Sequence, residues 1–492
     1  MQTRVGLPPE SRAGRGPSRH AVIRAVALAA CLFGPAACGE PGPAAPPVLV
    51  WIGIDTLRAD ALGCYGSPIH GKDGRGTSPN LDALAAEGVR FETSYSSAPW
   101  TVPALATQMT GKWPWDHGGL RLTRPLGEGN ETLAETFRDA GWRTAGVMTN
   151  FVARVDSGLA QGFELWDDSL AVGGRGSTGV DAADVLLAQT DRLLAEGTGQ
   201  GLFLFLFLFE PHYFYELHPE YGFAVDGVTV EGYLGARSGA LDGEEEVNVL
   251  RDMRADLGAT DISFLRARYH GDVAAADDAV GRLAAGLEQR GLWRDATVLF
   301  AADHGEEIME RGWIGHTNSL FDELVRVPFI VRTPALARER RGTVVTYPVS
   351  QIDFRDTVLD LAGIAKSRHS LVPTVLRGVK PERRFLYLHT DFEPPDAKAH
   401  EKRAHLWGVY DADRGLKWIV DHNVADGVQP YVSLYDLERD PLELENLAGD
   451  REQLKRIEDL MHIRGLIPYP LEGSHGTDPI VIPGKGPKPN GL

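Results

Sequence analysis

The stretch Ala296-Thr-Val-Leu-Phe-Ala-Ala-Asp-His-Gly-Glu-Glu307 decides the fold of this chain. Thr297 to Ala302 is a short, uninterrupted apolar run with β-branched and aromatic members, which predicts a buried strand. Asp303 and His304 follow directly. Open α/β sheets bind their ligands beyond the carboxyl ends of the strands, so these two residues are candidates for a functional site. Taken alone, they also suit a polar turn with a solvated aspartate and a capping histidine.

Strands and helices alternate on both sides of this stretch. Short apolar runs predict strands, and apolar residues at three- and four-residue spacing predict helices. The other strands predicted around it are Val48–Ile54, Thr144–Met148 and 201–209. The helices are Leu81–Gly88, Pro103–Met109, Thr132–Gly141, Asp181–Glu196 and Ile262–Gln289. This alternation predicts an α/β fold with a large, mostly parallel sheet sandwiched by helices.

Changes in composition and in the predicted secondary structure divide the chain into regions. Residues 48–380 form the predicted catalytic domain, interrupted at 213–260 by an irregular insertion of the kind that acts as a lid or binding loop. Short strands in 381–466 and a helix over Arg451–His462 predict a smaller C-terminal antiparallel sheet with a helix packed on it. Residues 467–492 are rich in Pro and Gly and are predicted to have no fixed structure.

Residues 1–47 have the composition of an export signal followed by a Pro-rich tether. Basic residues precede the apolar run Ala25–Ala37, which is too short to cross a membrane as a stable helix. Small residues before Cys38 indicate a lipoprotein signal with Cys38 lipidated, and Cys31 is a second candidate of similar form. We expect an exported protein, periplasmic or on the cell surface, with a lipid anchor as its membrane attachment. An uncleaved, unstructured N-terminus is the alternative.

The charge balance excludes one class of partner. The chain has 68 Asp and Glu against 50 Lys and Arg, a formal net charge of −18. Nucleic-acid binding needs a basic surface that neutralises phosphates, so no nucleic-acid partner is expected. An anionic substrate must instead be bound by a locally positive site, against the field of the whole protein.

Polar side chains follow three of the predicted strands. Asp55 directly follows the first, Asp303 and His304 follow the opening stretch, and His212 follows the Phe- and Leu-rich strand. Thr101 lies at a predicted helix N-terminus, where free N–H groups favour an anion. Two carboxylates, an imidazole and a hydroxyl form a ligand set for one divalent cation. Such a cation lowers the pKa of a hydroxyl and neutralises an attacked ester oxygen, which outlines phosphoryl or sulfuryl transfer.

Six motifs occur in order along nearly the whole chain. They are Ile54-Asp55-Thr56-Leu57-Arg58, Thr77-Ser78-Pro79-Asn80-Leu81, Ala98-Pro99-Trp100-Thr101-Val102-Pro103 with Thr110-Gly111, Gly158-Leu159-Ala160-Gln161-Gly162, Asp303-His304-Gly305-Glu306 with Gly315-His316, and Tyr435-Asp436-Leu437. In this order they resemble the sulfatase family of the alkaline phosphatase superfamily. The resemblance implies an alkaline-phosphatase-like fold, one divalent metal ion (Ca²⁺, Mg²⁺, Mn²⁺ or Zn²⁺), and hydrolysis of sulfate or phosphate esters. It leaves the substrate open among small molecules, glycans and lipids.

The resemblance also assigns metal ligands. Asp55, Asp303 and His304 match the family's ligands, and Thr56 stands where many sulfatases have a second Asp. The metal shell is therefore expected to be less acidic here.

The nucleophile position departs from the family pattern. Sulfatases place a Cys or Ser there, followed by Pro and Arg, and oxidise it to formylglycine. This chain has Thr101, with Pro103 kept and Leu105 in place of Arg. Threonine has no route to that aldehyde. Thr101 is therefore expected to attack directly, as in the phosphodiesterases and phosphoethanolamine transferases of the superfamily, with a helix N-cap role as the alternative.

Further residues are expected around this centre. His316 or His212 is predicted to protonate the leaving oxygen or to bind the anion, since histidine serves either role near neutral pH. Asn150 and Lys112 are predicted to reach the anion. His117 is predicted to contribute to substrate binding or to pack beneath the site as a loop histidine.

Some alternatives stay open at this point. Glu306 either orients His304 or is solvated, and the solvated interpretation is favoured. A phospho-alcohol transferase acting on cell-envelope acceptors would use the same site. A degenerate, non-catalytic protein that binds an anion or a glycan is a third possibility.

Overall fold

The computed structural model describes residues 46–120, 124–171, 179–213, 215–223, 249–393, 404–422 and 431–449. Several predictions fall outside these ranges. They concern the export signal with Cys31 and Cys38, the middle of the 213–260 insertion, the helix over Arg451–His462 and the tail at 467–492.

A nine-stranded sheet forms the centre of the described structure. The strands of the chain are β1 Val48–Ile54, β2 Val89–Tyr95, β3 Arg143–Met148, β4 Leu165–Asp167, β5 Leu202–Leu208, β6 Thr297–Ala302, β7 Glu307–Ile308, β8 Ile314–Gly315, β9 Arg326–Arg332, β10 Thr343–Val345, β11 Val349–Ser350, β12 Phe385–Phe392, β13 Ala404–Asp411, β14 Leu416–Asp421 and β15 Tyr431–Asp436. The large sheet has the order β10-β2-β9-β6-β1-β5-β3-β4, and β11 also pairs with β2. Strand β9 runs antiparallel to both of its neighbours, and the other pairs are parallel.

Helices cover both faces of this sheet. They are α1 Pro79–Glu87, α2 Thr101–Thr110, α3 Pro114–His117, α4 Leu133–Asp139, α5 Gly179–Glu196, α6 Ala259–Gln289, α7 Asp322–Val325, α8 Phe354–Leu361 and α9 Val372–Arg377. One apolar core joins the sheet to α1, α5 and α6, and a second joins it to α2, α4 and α8. Alternate residues of a strand point to opposite faces, so β1 sends Val50 and Ile52 into the first core and Leu49 and Trp51 into the second. The predicted α/β sandwich is confirmed.

Five strands of the large sheet, β2, β4, β9, β10 and β11, were not predicted from the sequence, and β2 and β9 show why. β2 alternates buried and accessible positions and carries Glu92 and Thr93, which weakens its apolar signal. β9 contains Pro328, which has no N–H for a sheet ladder. The pairing of β2 with β9 shifts register between Phe91 and Ser94, close to this proline, so the irregularity accommodates it.

The C-terminal strands β12 to β15 form an antiparallel sheet in sequence order, as predicted. Its inner face contributes Leu386, Leu388 and Leu406 to an apolar core shared with Trp100 and Leu324 of the large domain. This sheet therefore packs beside the start of α2. None of the described helices combines the length and apolar composition needed to cross a bilayer.

Candidate metal centre and active site

Strands β1 and β6 deliver the central side chains of the site. They are adjacent and parallel, and Ile54 at the end of β1 is paired with Ala302 at the end of β6. The next residues, Asp55 and Asp303, therefore leave the sheet side by side at its carboxyl edge. Both carboxylates and the following His304 are fully buried.

These three side chains form a group suited to a cation. His304 Nε2 lies 3.5 Å from Asp55 Oδ1 and 3.3 Å from Asp303 Oδ2. Both of these carboxylate oxygens are buried and have no hydrogen-bond partner among the described residues. His304 Nδ1 lies 2.9 Å from the Gly305 carbonyl oxygen, which only accepts, so Nδ1 carries the proton and Nε2 offers a lone pair. One ligand atom from each residue lies within 4.8 Å of the others.

Burial makes this group unfavourable without a compensating charge. Burial, and then repulsion from Asp303, raises the pKa of Asp55 well above its usual range. Burial also raises the pKa of Asp303 and lowers that of His304. A divalent cation compensates two buried carboxylates and accepts the imidazole lone pair, so the residues present fit the metal ion that the resemblance implies. Carboxylates suit Ca²⁺ or Mg²⁺, and the imidazole moves the preference toward Mn²⁺ or Zn²⁺.

Thr101 and Asn150 complete this group. Thr101 is the first residue of α2, and its hydroxyl lies 3.3 Å from His304 Nε2. Asn150 Nδ2 donates to Asp55 Oδ2 and lies 3.4 Å from Thr101 Oγ1. Asn150 Oδ1 accepts from the Val152 N–H at 2.7 Å, which fixes the orientation of the amide. The Thr101 hydroxyl thus faces the carboxylates and the imidazole, and the N-cap position of α2 belongs to Trp100.

Two further histidines lie beside His304. The ring centroid of His316 is 4.4 Å from that of His304 and 4.8 Å from that of His212. His316 Nδ1 pairs with Glu306 Oε1 at 2.9 Å, and His212 Nδ1 contacts the Tyr213 carbonyl oxygen at 2.7 Å. Burial lowers the pKa of His212 and of His316 to about 3, so both rings are neutral at pH 7.

Lys112 and His117 belong to a separate network near the end of α2. Lys112 Nζ donates to Asn130 Oδ1 at 2.8 Å, and Asn130 Nδ2 donates to the His117 carbonyl oxygen at 2.9 Å. His117 Nε2 lies 3.3 Å from Thr107 Oγ1. Within the described ranges, the hydrogen bonds of these residues do not reach the Asp55 group, which consists of Asp55, Asp303 and His304. Their predicted roles in substrate binding stay predictions.

The buried histidines away from the Asp55 group predict a pH dependence of stability. Burial lowers the pKa of His389 to about 3 and that of His117 to about 4. Below the ordinary histidine pKa of about 6.5, the unfolded chain binds protons that the folded chain does not, so stability falls as pH falls. His389→Gln removes one side chain that binds such a proton in the unfolded chain. Between about pH 6 and pH 4, wild type is expected to lose ~1.4 kcal/mol per pH unit more than this variant. Denaturant unfolding of both proteins across this range measures the difference, and parallel stability profiles would contradict the prediction.

Glu306 is a site residue whose environment was interpreted wrongly from the sequence. The favoured interpretation was a solvated side chain, but Glu306 is fully buried. Its Oε1 pairs with His316 Nδ1, and its Oε2 accepts from the Tyr213 N–H at 3.2 Å. Glu306 therefore orients His316 and holds the backbone next to His212. The sequence around Glu306 does not indicate its burial, because the tertiary fold brings its partners Tyr213 and His316 to it.

Arg251 was missed altogether. It lies in the irregular insertion, yet its side chain is buried, and its Nε donates to the Ile314 carbonyl oxygen at 2.9 Å. The guanidinium lies 5.1 Å from the Tyr213 ring centroid. Gly315, with φ +111°, makes room for it, since a Cβ there would lie 2.4 Å from Arg251 Nη2. Arg251 thus places positive charge beside His316, and after burial it is the main cause of that residue's low pKa.

Glu306→Gln is expected to lower kcat about 10- to 100-fold, because the variant loses the charged acceptor that orients His316. Glu307→Gln is the matched control. Glu307 Oε1 accepts from the N–H groups of Arg311 and Trp313 at 2.9 Å each, and a glutamine oxygen still accepts both. Steady-state kinetics on the two variants give the comparison. Equal kcat values for them would remove Glu306 from the site.

A mostly parallel sheet with a buried Asp–Asp–His group at its carboxyl edge, facing a hydroxyl at a helix N-terminus, is the arrangement of a hydrolase of sulfuric or phosphoric esters. Comparison with protein families agrees. Residues 47–364 match the sulfatase model, and residues 310–464 match the model described as N-sulphoglucosamine sulphohydrolase, C-terminal. The chain belongs to the sulfatase family.

Individual relatives support the same assignment over most of the chain. An arylsulfatase from Clostridium perfringens is 24% identical over 482 residues, covering 87% of this chain and 95% of the relative. The structure of BT4656 in complex with its substrate D-glucosamine-2-N,6-O-disulfate has a TM-score of 0.66 at 19% identity, covering 87% of this chain and 100% of the other. The phosphonate monoester hydrolase of Agrobacterium radiobacter has a TM-score of 0.63 at 23% identity, covering 86% and 96%. These structures share the fold of this chain.

Proposed function

We propose that this chain is an exported, metal-dependent hydrolase of sulfate or phosphate esters in which Thr101 is the nucleophile and Asp55, Asp303 and His304 hold the metal ion. The observation that carries the proposal is the position of the Thr101 hydroxyl. It lies 3.3 Å from His304 Nε2, in the group that also contains two buried carboxylate oxygens for which the described residues provide no hydrogen-bond partner. No cysteine or serine is needed at this position, so activity is expected without oxidation to formylglycine.

The reaction follows from the groups around Thr101. A divalent cation held by the two aspartates and His304 supplies a Lewis acid that favours the ionised hydroxyl and neutralises an ester oxygen. Asn150 Nδ2 lies within 3.4 Å of the Thr101 oxygen and holds it in place. The N–H groups of Thr101 and Val102 at the start of α2 favour an anion there. Thr101 Oγ1 attacks sulfur or phosphorus, and the bond to the leaving oxygen breaks.

The proton of Thr101 needs an acceptor and then a destination. His212 and His316 each use Nδ1 in a hydrogen bond, which leaves Nε2 as the free ring nitrogen. Because both rings are neutral, one of them accepts the Thr101 proton and passes it to the leaving oxygen. Water then attacks sulfur or phosphorus of the threonine ester and gives one proton to the neutral histidine. The bond to Thr101 Oγ1 breaks, and the histidine passes that proton to Thr101 Oγ1.

Two proteins of the same fold indicate which esters to consider as substrates. BT4656 was solved with a disulfated glucosamine, and the Agrobacterium radiobacter enzyme is a phosphonate monoester hydrolase. We propose a small-molecule, glycan or lipid ester of sulfate or phosphate for this chain. Export and lipidation at Cys38 rest on residues 1–47, and the mass of the mature protein tests them: a chain that keeps its first 37 residues would contradict both.

A parallel activity screen tests the proposed function. Sulfate monoesters (sulfated glucosamines among them), phosphate monoesters and phosphodiesters are each assayed with Ca²⁺, Mg²⁺, Mn²⁺ and Zn²⁺. We expect metal-dependent turnover of at least one ester class. In H₂¹⁸O, a hydrolase places the heavy oxygen in the released sulfate or phosphate. Transfer of the group to an added alcohol without release would favour the transferase, and no turnover with any combination would favour a binding protein.

A further inference from the structure

The turn that follows Asp55 has an unfavourable backbone conformation. Thr56 has φ +52°, in the left-handed region that β-branched residues rarely adopt. Thr56 is also fully buried, and its hydroxyl has no hydrogen-bond partner in the part of the chain that the structure describes, so its side chain does not hold the turn in place. Strained residues of this kind persist only where the surrounding structure holds them.

The contact that closes this turn comes from a distant helix. Tyr269 on α6 donates its hydroxyl to the Thr56 carbonyl oxygen at 3.0 Å. The same hydroxyl accepts the Arg58 N–H at 2.9 Å. One phenol oxygen thus bridges the two backbone groups on either side of Leu57. Tyr269 is 1% exposed, so solvent water does not take over these bonds when the hydroxyl is removed.

The turn in its strained form positions two of the metal ligands. The Thr56 N–H donates to Asp303 Oδ1 at 3.2 Å, which leaves Oδ2 of that carboxylate directed at His304. The Asp55 N–H is bonded to the Leu208 carbonyl oxygen at 2.9 Å, so the chain is fixed just before the turn. The φ angle of Thr56 sets the orientation of the Asp55–Thr56 peptide, whose N–H Asp303 accepts, relative to the Thr56 carbonyl that Tyr269 holds. A change of φ to a negative value therefore moves these two peptide groups relative to each other and disturbs the bond to Asp303.

We infer that Tyr269 is a positioning residue of the metal centre, because its hydroxyl holds the strained Thr56 turn that sets the relative orientation of Asp55 and Asp303. The inference rests on the proposed function only in that Asp55, Asp303 and His304 bind a metal ion. Among the described residues, the Tyr269 hydroxyl bonds to the backbone of Thr56 and Arg58 and to neither ligand carboxylate. Residues that orient metal ligands typically contribute about 10- to 100-fold to metal affinity, and this is the size of effect expected here.

Tyr215 provides a matched control for the Tyr269 hydroxyl. Its ring packs edge-on against Tyr269 at a centroid distance of 5.7 Å, and it is similarly buried. Within the described ranges, however, its hydroxyl has no hydrogen-bond partner. Tyr215→Phe therefore removes the same atom from the same core without releasing the turn.

The experiment is a calorimetric titration of metal-free protein with Mn²⁺ for wild type, Tyr269→Phe and Tyr215→Phe. We expect Tyr269→Phe to raise the Kd at least 10-fold and Tyr215→Phe to leave it within 2-fold of wild type. Thermal unfolding of the metal-free proteins checks that both variants fold. A Tyr269→Phe Kd equal to that of wild type would overturn the inference while leaving the metal site intact. A wild-type protein that binds no Mn²⁺ would overturn the metal site and the inference together.

A second variant separates the turn from a general loss of packing. Glycine adopts φ near +52° without steric cost. Thr56→Gly added to Tyr269→Phe therefore removes the backbone strain, and the turn no longer needs the Tyr269 hydroxyl to keep its conformation. The double variant is expected to recover most of the lost Mn²⁺ affinity, and it also serves if Tyr269→Phe alone does not fold. A double variant that binds Mn²⁺ as weakly as Tyr269→Phe would contradict the role of backbone strain.

Discussion

Thr101→Ala is expected to reduce kcat/KM for ester hydrolysis by about 10³- to 10⁶-fold, the range found when a covalent nucleophile is removed. The reason is geometric. The Thr101 oxygen is the hydroxyl that lies 3.3 Å from His304 Nε2, and alanine leaves no group there to attack the ester. Asp55, Asp303 and His304 are unchanged in this variant, so divalent metal binding should persist.

Thr101→Ser is the matched control for this experiment. Serine keeps the hydroxyl and loses a methyl group, so its activity should stay within about 10-fold of wild type while that of alanine falls much further. Steady-state assays on the ester class identified by the activity screen give both ratios. If Thr101→Ala hydrolyses the ester as fast as wild type does, Thr101 is not the nucleophile and a different group must attack.

Lys417→Met is expected to destabilise the folded protein by about 3–5 kcal/mol, because it takes the buried lysine charge away from the buried Glu443 and the partly buried Asp322. Lys417 on β14 is fully buried, and its Nζ lies 2.8 Å from both Asp322 Oδ1 and Glu443 Oε1. Burial raises the pKa of Glu443 to about 7, and the lysine charge opposes this shift. The Lys417–Asp322 pair joins the C-terminal sheet to α7 of the large domain.

The control for Lys417 is a lysine in an exposed pair. Lys380 Nζ lies 2.7 Å from Asp413 Oδ1, but its side chain is 60% exposed. Lys380→Met should therefore cost at most about 1 kcal/mol. Denaturant unfolding of both variants gives the two free energies. Similar small losses for Lys417→Met and Lys380→Met would show that the buried ion pairs do not hold the C-terminal sheet in place.

The parts of the fold that the sequence predicts are those with a continuous apolar signal. β1 and β6 have the predicted bounds because every residue of each strand is buried on a sheet covered on both faces. β2 and β9 were not predicted because neither is a continuous apolar run. Glu92 and Pro328 interrupt them, and only the pairing of the two strands shows how the proline fits.

In the candidate site, too, the sequence predicts residues next to continuous apolar strands and does not predict those that depend on tertiary contacts. Asp55, Asp303 and His304 are predictable because they directly follow parallel strands, whose carboxyl ends meet at one edge of the sheet. Glu306 and Tyr269 act through partners that are remote in the chain, and no periodicity or spacing identifies such contacts. The positive φ of Thr56 is likewise a product of the tertiary structure, since a threonine on its own favours other conformations.

The divalent metal content of the purified protein, measured together with its hydrolytic activity, is the most direct test of the proposed centre. We expect one ion per chain, loss of hydrolysis on removal of the ion by a chelator, and recovery when the ion is returned. Asp303→Asn should hold the ion more weakly, since it removes one of the two carboxylates that face His304. A metal-free protein that hydrolyses its ester at the full rate, or a wild-type protein that takes up no divalent ion, would contradict a metal centre at Asp55, Asp303 and His304.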